Sequence, residues 1–251
     1  MTQRRLSPVS PPSPEEEGRP NGSELQKRCV SMKLYCDPIS TTSRPVLMFI
    51  ADQGLDVEIV KVDLMAGGHQ DPEYLALNPN GIVPFLVDGD FRLGESIAIL
   101  KYLAIRAHST AYPESLKGQM KVDEALSWFA TQFHETFCVM VCYPHIGVPH
   151  DMTPGQYADL MAYGREHCPR WLTVLDRSML AGQPYVCGDQ VTLADYLGLS
   201  FVLLGGLANY DFSPYPNIQA WIARMQARPS YVPTYAAFDT MLAYMRQQKA
   251  A

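Results

Sequence analysis

The stretch NPNGIVPFLVDGDFRLGES, residues 78–96, decides the fold. Asn78-Pro79-Asn80-Gly81-Ile82-Val83-Pro84 is a turn that feeds a short strand at Phe85–Val87. Asp88-Gly89 is a two-residue hairpin signal into Phe91-Arg92-Leu93. From Glu95 to Ala104 the spacing turns helical, with Ile97, Leu100 and Ala104 on one face. A strand pair running directly into an amphipathic helix ends a layered α/β unit.

Upstream, Met32–Cys36 (MKLYC) is a short apolar strand closed by Asp37 and Pro38. Ser40, Thr41, Thr42 and Ser43 are helix-cap candidates, and Pro45 suits the first turn of a helix reaching Asp52. Val57–Val62 is a second strand, followed by a loop with Gly67, Gly68 and His69 and a short helix from Pro72 to Leu77. The order is β-α-β-α-β-β-α between residues 32 and 104.

Downstream the chain reads as helices alone. One long helix runs from Glu114 to Tyr143 and another from Thr153 to Leu180. Gln183–Asp189 is a loop, and Thr192-Leu193-Ala194-Asp195 is a capping box opening a Leu-rich, buried helix. Pro216 and Pro229 bracket a further helix, and a last one reaches toward Arg246. The expected organisation is an α/β domain over 32–108 and an all-helical domain over 113–251. Residues 1–31, rich in Pro, Ser, Glu and Arg, read as a disordered extension, and Met32 is a candidate translational start.

Composition narrows the function. A net charge of −6 with 18% charged residues lacks the clustered basic face a nucleic-acid partner requires. The longest nearly apolar stretch, Tyr196 to Ala208, carries three glycines and is too short to cross a bilayer. Six cysteines, at 29, 36, 138, 142, 168 and 187, form no CxxC pair. With no apolar leader ahead of them they read as reduced thiols of a cytoplasmic protein.

Four segments, LYCDPISTTSRPV (34–46), VDLMAGGH (62–69), 78–96 and VTLADY (191–196) within this order of elements, resemble the cytosolic glutathione transferases, in particular their serine-type theta and delta classes and bacterial relatives. The resemblance implies a thioredoxin-like domain followed by a helical bundle, glutathione as co-substrate, no metal, and a C2 homodimer. It also implies a reaction in which the glutathione thiolate attacks an electrophilic carbon. A free thiol with a pKa near ~8.5 is only ~3% ionised at pH 7. Lowering that pKa by about two units takes on the order of 2.7 kcal/mol of preferential anion stabilisation. A hydroxyl beside a helix N-terminus is suited to supply it.

By resemblance Ser40 is the catalytic hydroxyl, with Arg44 four residues on; Thr41 and Ser43 are its competitors. Val83-Pro84 matches a cis-proline corner whose main-chain N–H and C=O pair with the cysteinyl backbone of glutathione. Ser96 and Glu95 match the groups that take the α-carboxylate and α-ammonium of the γ-glutamyl end, and His69 matches a ligand of the glycine carboxylate. Gly94 stands where the family usually has Ser or Thr, which loosens the turn before Glu95-Ser96 without removing its contacts; Gln70 and Ile82 stand where many relatives carry Lys, so recognition of the glycine carboxylate is expected to be weaker or to use other residues. The electrophile pocket is placed at Phe133, His134 and Phe137 of the long helix, with Thr131 nearby.

Each residue also has a plainer reading: a turn serine, an edge-strand proline, a capping pair, a solvated histidine, a stripe of core phenylalanines. His134, Cys138 and Cys142 repeat every four residues but sit among Phe137 and Met140, which favours packing over a metal site. Asp195 reads as structural. Other outcomes on the same scaffold are dehalogenation, ether cleavage, isomerisation, and glutathione binding without catalysis.

Overall fold

Four strands order the first part of the chain: β1 (Met32–Cys36), β2 (Val57–Lys61), β3 (Phe85–Asp88) and β4 (Phe91–Leu93). In this computed structural model residues 32–250 are described; the extension over 1–31 and the start at Met32 fall on or beside residues outside that range. The sheet order is β2-β1-β3-β4. β1 pairs parallel with β2 and antiparallel with β3, which pairs antiparallel with β4. A parallel pair needs a crossover, and α1 (Ser43–Gln53) supplies it. Side chains alternate along β1: Leu34 and Cys36 enter the main core with Val46, Phe49 and Ile50, while Tyr35 turns to a small cluster of Val62, Tyr74 and Val83.

The hairpin differs from the sequence reading by one residue. Asp88 pairs with Phe91, so the strand includes Asp88 and the turn is Gly89-Asp90. Gly89, at φ 65°, takes the first turn position, where a left-handed conformation suits glycine. Two helices flank the strands: α2 (Pro72–Leu77) and α3 (Ser96–Arg106).

The helical part contains α4 (Leu116–Trp128), α5 (Pro154–Val174), α6 (Leu193–Leu203), α7 (Pro216–Gln226) and α8 (Tyr231–Ala250). The long helix expected over 114–143 is continuous, but after Trp128 it widens to π-helical winding from Phe129 to Cys142. No residue pattern in that segment foretells the change of pitch. Phe129, Phe133 and Phe137 are fully buried, with successive ring centroids 5.7 and 5.0 Å apart. Gly198 of α6 makes room for them: a Cβ there would collide with the Phe129 ring. Each such ring contributes about 1.5–3 kcal/mol by leaving water.

α6 runs through the middle of the helices and is buried along most of its length. Its start is the expected capping box. Asp195 Oδ2 accepts from the Thr192 N–H (2.8 Å) and hydroxyl (2.9 Å), while Oδ1 accepts from the Val186 N–H (2.8 Å) and Trp221 Nε1 (2.9 Å). Tyr196 then donates to Asp52 at the end of α1 (2.8 Å), where Arg228 also binds (2.6 Å). The described residues, 32–250, form one compact unit.

Candidate active site

The loop between β1 and α1 is built from short polar side chains. Asp37 is buried, and its carboxylate accepts from the Ile39 N–H (3.1 Å) and the Leu64 N–H (3.0 Å). One acidic group thus shapes the loop that carries Ser40 and ties it to the loop that carries His69. The Ser40 N–H donates to the Asp37 carbonyl (2.9 Å), and the Ser40 Oγ accepts from the Ser43 N–H at the start of α1 (3.3 Å).

Proton counting fixes the direction of the hydroxyls. The Thr42 hydroxyl donates its one proton to the Val83 carbonyl (3.0 Å), so in its 3.2 Å contact with Ser40 it accepts. Ser40 therefore donates, and its proton points toward the proline corner. Thr41 and Ser43 are differently placed. Thr41 is buried, its Oγ1 accepting from the Tyr143 hydroxyl (3.1 Å) and its carbonyl from Ser200 (2.5 Å). Ser43 is fully buried. Ser40 is the half-buried hydroxyl of the expected three.

The Val83–Pro84 bond is cis, and its corner faces the loop. The sequence reading left both main-chain groups of Val83 for a ligand; here the carbonyl already accepts from Thr42, and the N–H has no partner among the described residues. Beyond the corner, α3 begins at Ser96, which is buried at the positive end of the helix. Glu95 precedes it at φ 64°, ψ 117°, a backbone conformation costing about 1–3 kcal/mol in a non-glycine residue. Its side chain is exposed and makes no capping bond. His69 lies in a short 3-10 turn, Gly68–Gln70, and its Nδ1 is buried without a hydrogen-bond partner. Buried polar atoms are normally paired, and this nitrogen is an exception.

The helical part reaches the loop through Tyr143, Ser200 and Arg44's neighbours on α8. Sequence reasoning missed Asp37, Thr42, Tyr143 and Ser200; the Asp-Pro turn and the serine–threonine run were visible, but the long-range partners were not. The expected electrophile pocket needs correction. Phe133 and Phe137 are fully buried and pack inside the helical core. Thr131 is exposed and returns its hydroxyl to the Ser127 carbonyl (2.8 Å). The His134 ring lies 4.8 Å from that of Phe201 and 5.9 Å from that of Tyr143, whose hydroxyl bonds Thr41. Burial pushes the His134 imidazole below its ordinary pKa and the Tyr143 phenol above its own, so both are neutral near pH 7. Burial likewise raises the Cys36 thiol to about 12, which keeps it a packing group. Among the described residues no cluster of His, Cys, Asp or Glu is arranged to hold a metal ion.

Thr42 joins the Ser40 hydroxyl to the cis-proline corner, and α3 starts without a side-chain cap, an arrangement with main-chain groups suited to an extended peptide. Comparisons with known proteins agree. Residues 30–105 match the glutathione S-transferase N-terminal domain, and residues 148–229 match the glutathione S-transferase C-terminal domain. Human glutathione S-transferase theta-2 is 33% identical over 205 residues, covering 79% of this chain and 82% of its own. The crystal structure of human glutathione transferase theta-2 in complex with glutathione and an unknown ligand superposes with a TM-score of 0.74 at 30% identity, covering 87% of this chain and 91% of that one. A human theta-class enzyme in complex with the glutathione conjugate of 1-menaphthyl sulfate gives 0.71 at 30% identity over the same shares. The chain belongs to the glutathione S-transferase family and stands with its theta-like members. It is a glutathione transferase, with glutathione as its co-substrate. The family typically forms dimers and acts on electrophilic substrates.

Proposed function

We propose that Ser40 holds the glutathione sulfur as a thiolate, which attacks an electrophilic or halogen-bearing carbon. The observation that carries this reading is the hydroxyl relay Ser40–Thr42–Val83, which directs the Ser40 proton toward the corner where a cysteinyl backbone would pair with the Val83 N–H. As the thiol loses its proton to solvent, Ser40 turns its O–H from Thr42 to the sulfur, a rotation of one hydroxyl. The Ser43 N–H keeps its bond to Ser40 Oγ and polarises that donor. The thiolate then forms a C–S bond as the leaving group departs with its electron pair. Ser96 and the start of α3 receive the γ-glutamyl carboxylate, Glu95 faces the ammonium, and the unpartnered His69 Nδ1 serves the glycine end.

The electrophile side is formed by His134 and Tyr143 with the buried Phe201 behind them, a neutral and aromatic wall suited to an apolar substrate. That the relative named above holds an arylmethyl conjugate of glutathione supports substitution at such a carbon. Ser40→Ala is expected to lower conjugating turnover by about tenfold or more, the scale of a lost charge-assisted hydrogen bond of about 1.5–3 kcal/mol, and to raise the pKa of the bound thiol. Titration of thiolate absorbance in the glutathione complex measures the latter; an unchanged pKa would remove Ser40 from the mechanism.

A cytoplasmic homodimer fits the same reading. Phe91 on β4, Ile105 on α3, and Leu116 and Met120 on α4 are exposed apolar side chains on consecutive elements, and Lys101–Asp123 (2.9 Å) ties α3 to α4. Sedimentation at micromolar concentration is expected to give twice the chain mass, and Ile105→Glu to give the monomer.

A further inference from the structure

Arg44 is fully buried, yet it forms no ion pair among the described residues. Its Nη1 donates to the Ile39 carbonyl (2.7 Å), while Nε and Nη2 have no hydrogen-bond partner. The guanidinium lies 3.8 Å from the centroid of the Phe238 ring and 5.3 Å from that of Tyr235, both on α8. The titratable groups facing it are Tyr143 and Cys138 of the long helix and Tyr231, Tyr235 and Asp239 of α8. A buried cation without a carboxylate is costly, and aromatic faces only partly offset that cost.

The bond to Ile39 shows what the charge does there. The peptide unit joining Ile39 to Ser40 is held at both ends: its carbonyl by Arg44, its N–H by the Asp37 carbonyl. Fixing that plane fixes the Cα of Ser40 and hence the arc its hydroxyl sweeps. We propose that Arg44, clamped by Phe238 and Tyr235 of the C-terminal helix, is a positioning residue that sets the aim of the Ser40 hydroxyl. The inference rests on the thiolate role proposed for Ser40 and adds α8 to the elements that control it.

The test compares Arg44→Met, Arg44→Lys and Phe238→Leu, each alone and combined with Ser40→Ala, after circular dichroism has established folding. The readouts are the thiol pKa of bound glutathione and the division of the rate loss between kcat and KM. Phe238→Leu keeps the apolar cover and removes the π face, so it is expected to fold, to raise the thiol pKa and to lower kcat about threefold, with KM little changed. Arg44→Met should lower kcat about tenfold, and Arg44→Lys should recover part of it, since an ammonium still donates to Ile39 but does not stack as a planar fork. In the Ser40→Ala background these shifts should vanish, because a positioning residue has nothing left to aim. If Arg44→Met does not fold, the Phe238→Leu pair decides. Folded variants with an unchanged thiol pKa, alongside a raised pKa in Ser40→Ala, would overturn the positioning role and leave Ser40 standing. Equal shifts with and without Ser40 would overturn it in favour of a direct effect of charge on sulfur. An unchanged pKa in Ser40→Ala alone would remove both.

Discussion

The helix starts of this molecule fall into two groups. Three of those in the helical part are closed by side chains: Ser115 caps α4 through the Gly118 N–H (3.2 Å), Thr153 and Gln156 close α5, and Thr192 and Asp195 close α6, whereas Ser230 Oγ, just ahead of α8, is buried without a partner among the described residues. Even α7, whose own N-cap residue makes no such bond, is closed from outside, Asp176 accepting from the Asn217 N–H (2.8 Å) and Ile218 N–H (3.1 Å). Around the sheet, α1 is bonded at the Ser43 N–H by Ser40 Oγ (3.3 Å), while α2 and α3 are left open. Neither Thr42, nor Asp71, nor Glu95 makes a capping bond with its side chain at the starts of α1, α2 and α3. Every helix start carries unpaired N–H groups and a partial positive charge. Where the protein satisfies them itself it gains stability; where it leaves them, an anion supplied from outside completes the helix.

Breaking the closed group should cost the fold. Asp195→Ala strands several buried donors at about 1–3 kcal/mol each, so a loss of at least about 3 kcal/mol is expected in urea denaturation, the largest effect here. Whatever remains folded should keep an unaltered thiol pKa in its glutathione complex. A melt that barely moves would show that the capping box is not what closes α6.

Breaking the open group should act on binding and stability with opposite signs. Glu95→Gly relieves the φ of 64° and is expected to stabilise the apoprotein by about 1 kcal/mol, while glutathione binds severalfold more weakly by calorimetry. Loss of both stability and affinity would make Glu95 an ordinary structural residue.

The smallest effect concerns pH. Burial lowers the His134 pKa, so the folded protein keeps this ring neutral while the unfolded chain takes a proton below about pH 6.5. The unfolded state then binds more protons, and stability falls with acidification from that point. Between pH 7.5 and 5.5 the urea midpoint of His134→Phe should drop less than that of the wild type. Parallel profiles would show that the ring is free to charge where it sits.

The sequence declared most of this through local signals. The β3–β4 hairpin and the Thr192–Asp195 box are each set by a few adjacent residues, and each stands where the residues put it, the hairpin turn shifted by one position; the cis corner at Val83-Pro84 stands where the family resemblance put it. What sequence could not declare were contacts between distant segments. Tyr143 and Ser200 reach Thr41 across 102 and 159 residues, and no periodicity encodes that. The phenylalanines at 129, 133 and 137 had the right spacing for a shared face, but the missing Cβ of Gly198 on another helix makes that face interior. Asp37 was visible as a turn former; its second bond, to Leu64, depends on where β2 ends.

The bonds from Tyr143 and Ser200 to Thr41 also bear on how the gene product can be divided. Cut between 108 and 113, the leading fragment would keep its sheet and its serine but lose the struts that brace the strand-to-helix bend, and it would lay Arg44 bare to water. Mixed with the trailing fragment, it should recover conjugating capacity only as the two reassemble, so this enzyme lends itself to use as a complementation reporter.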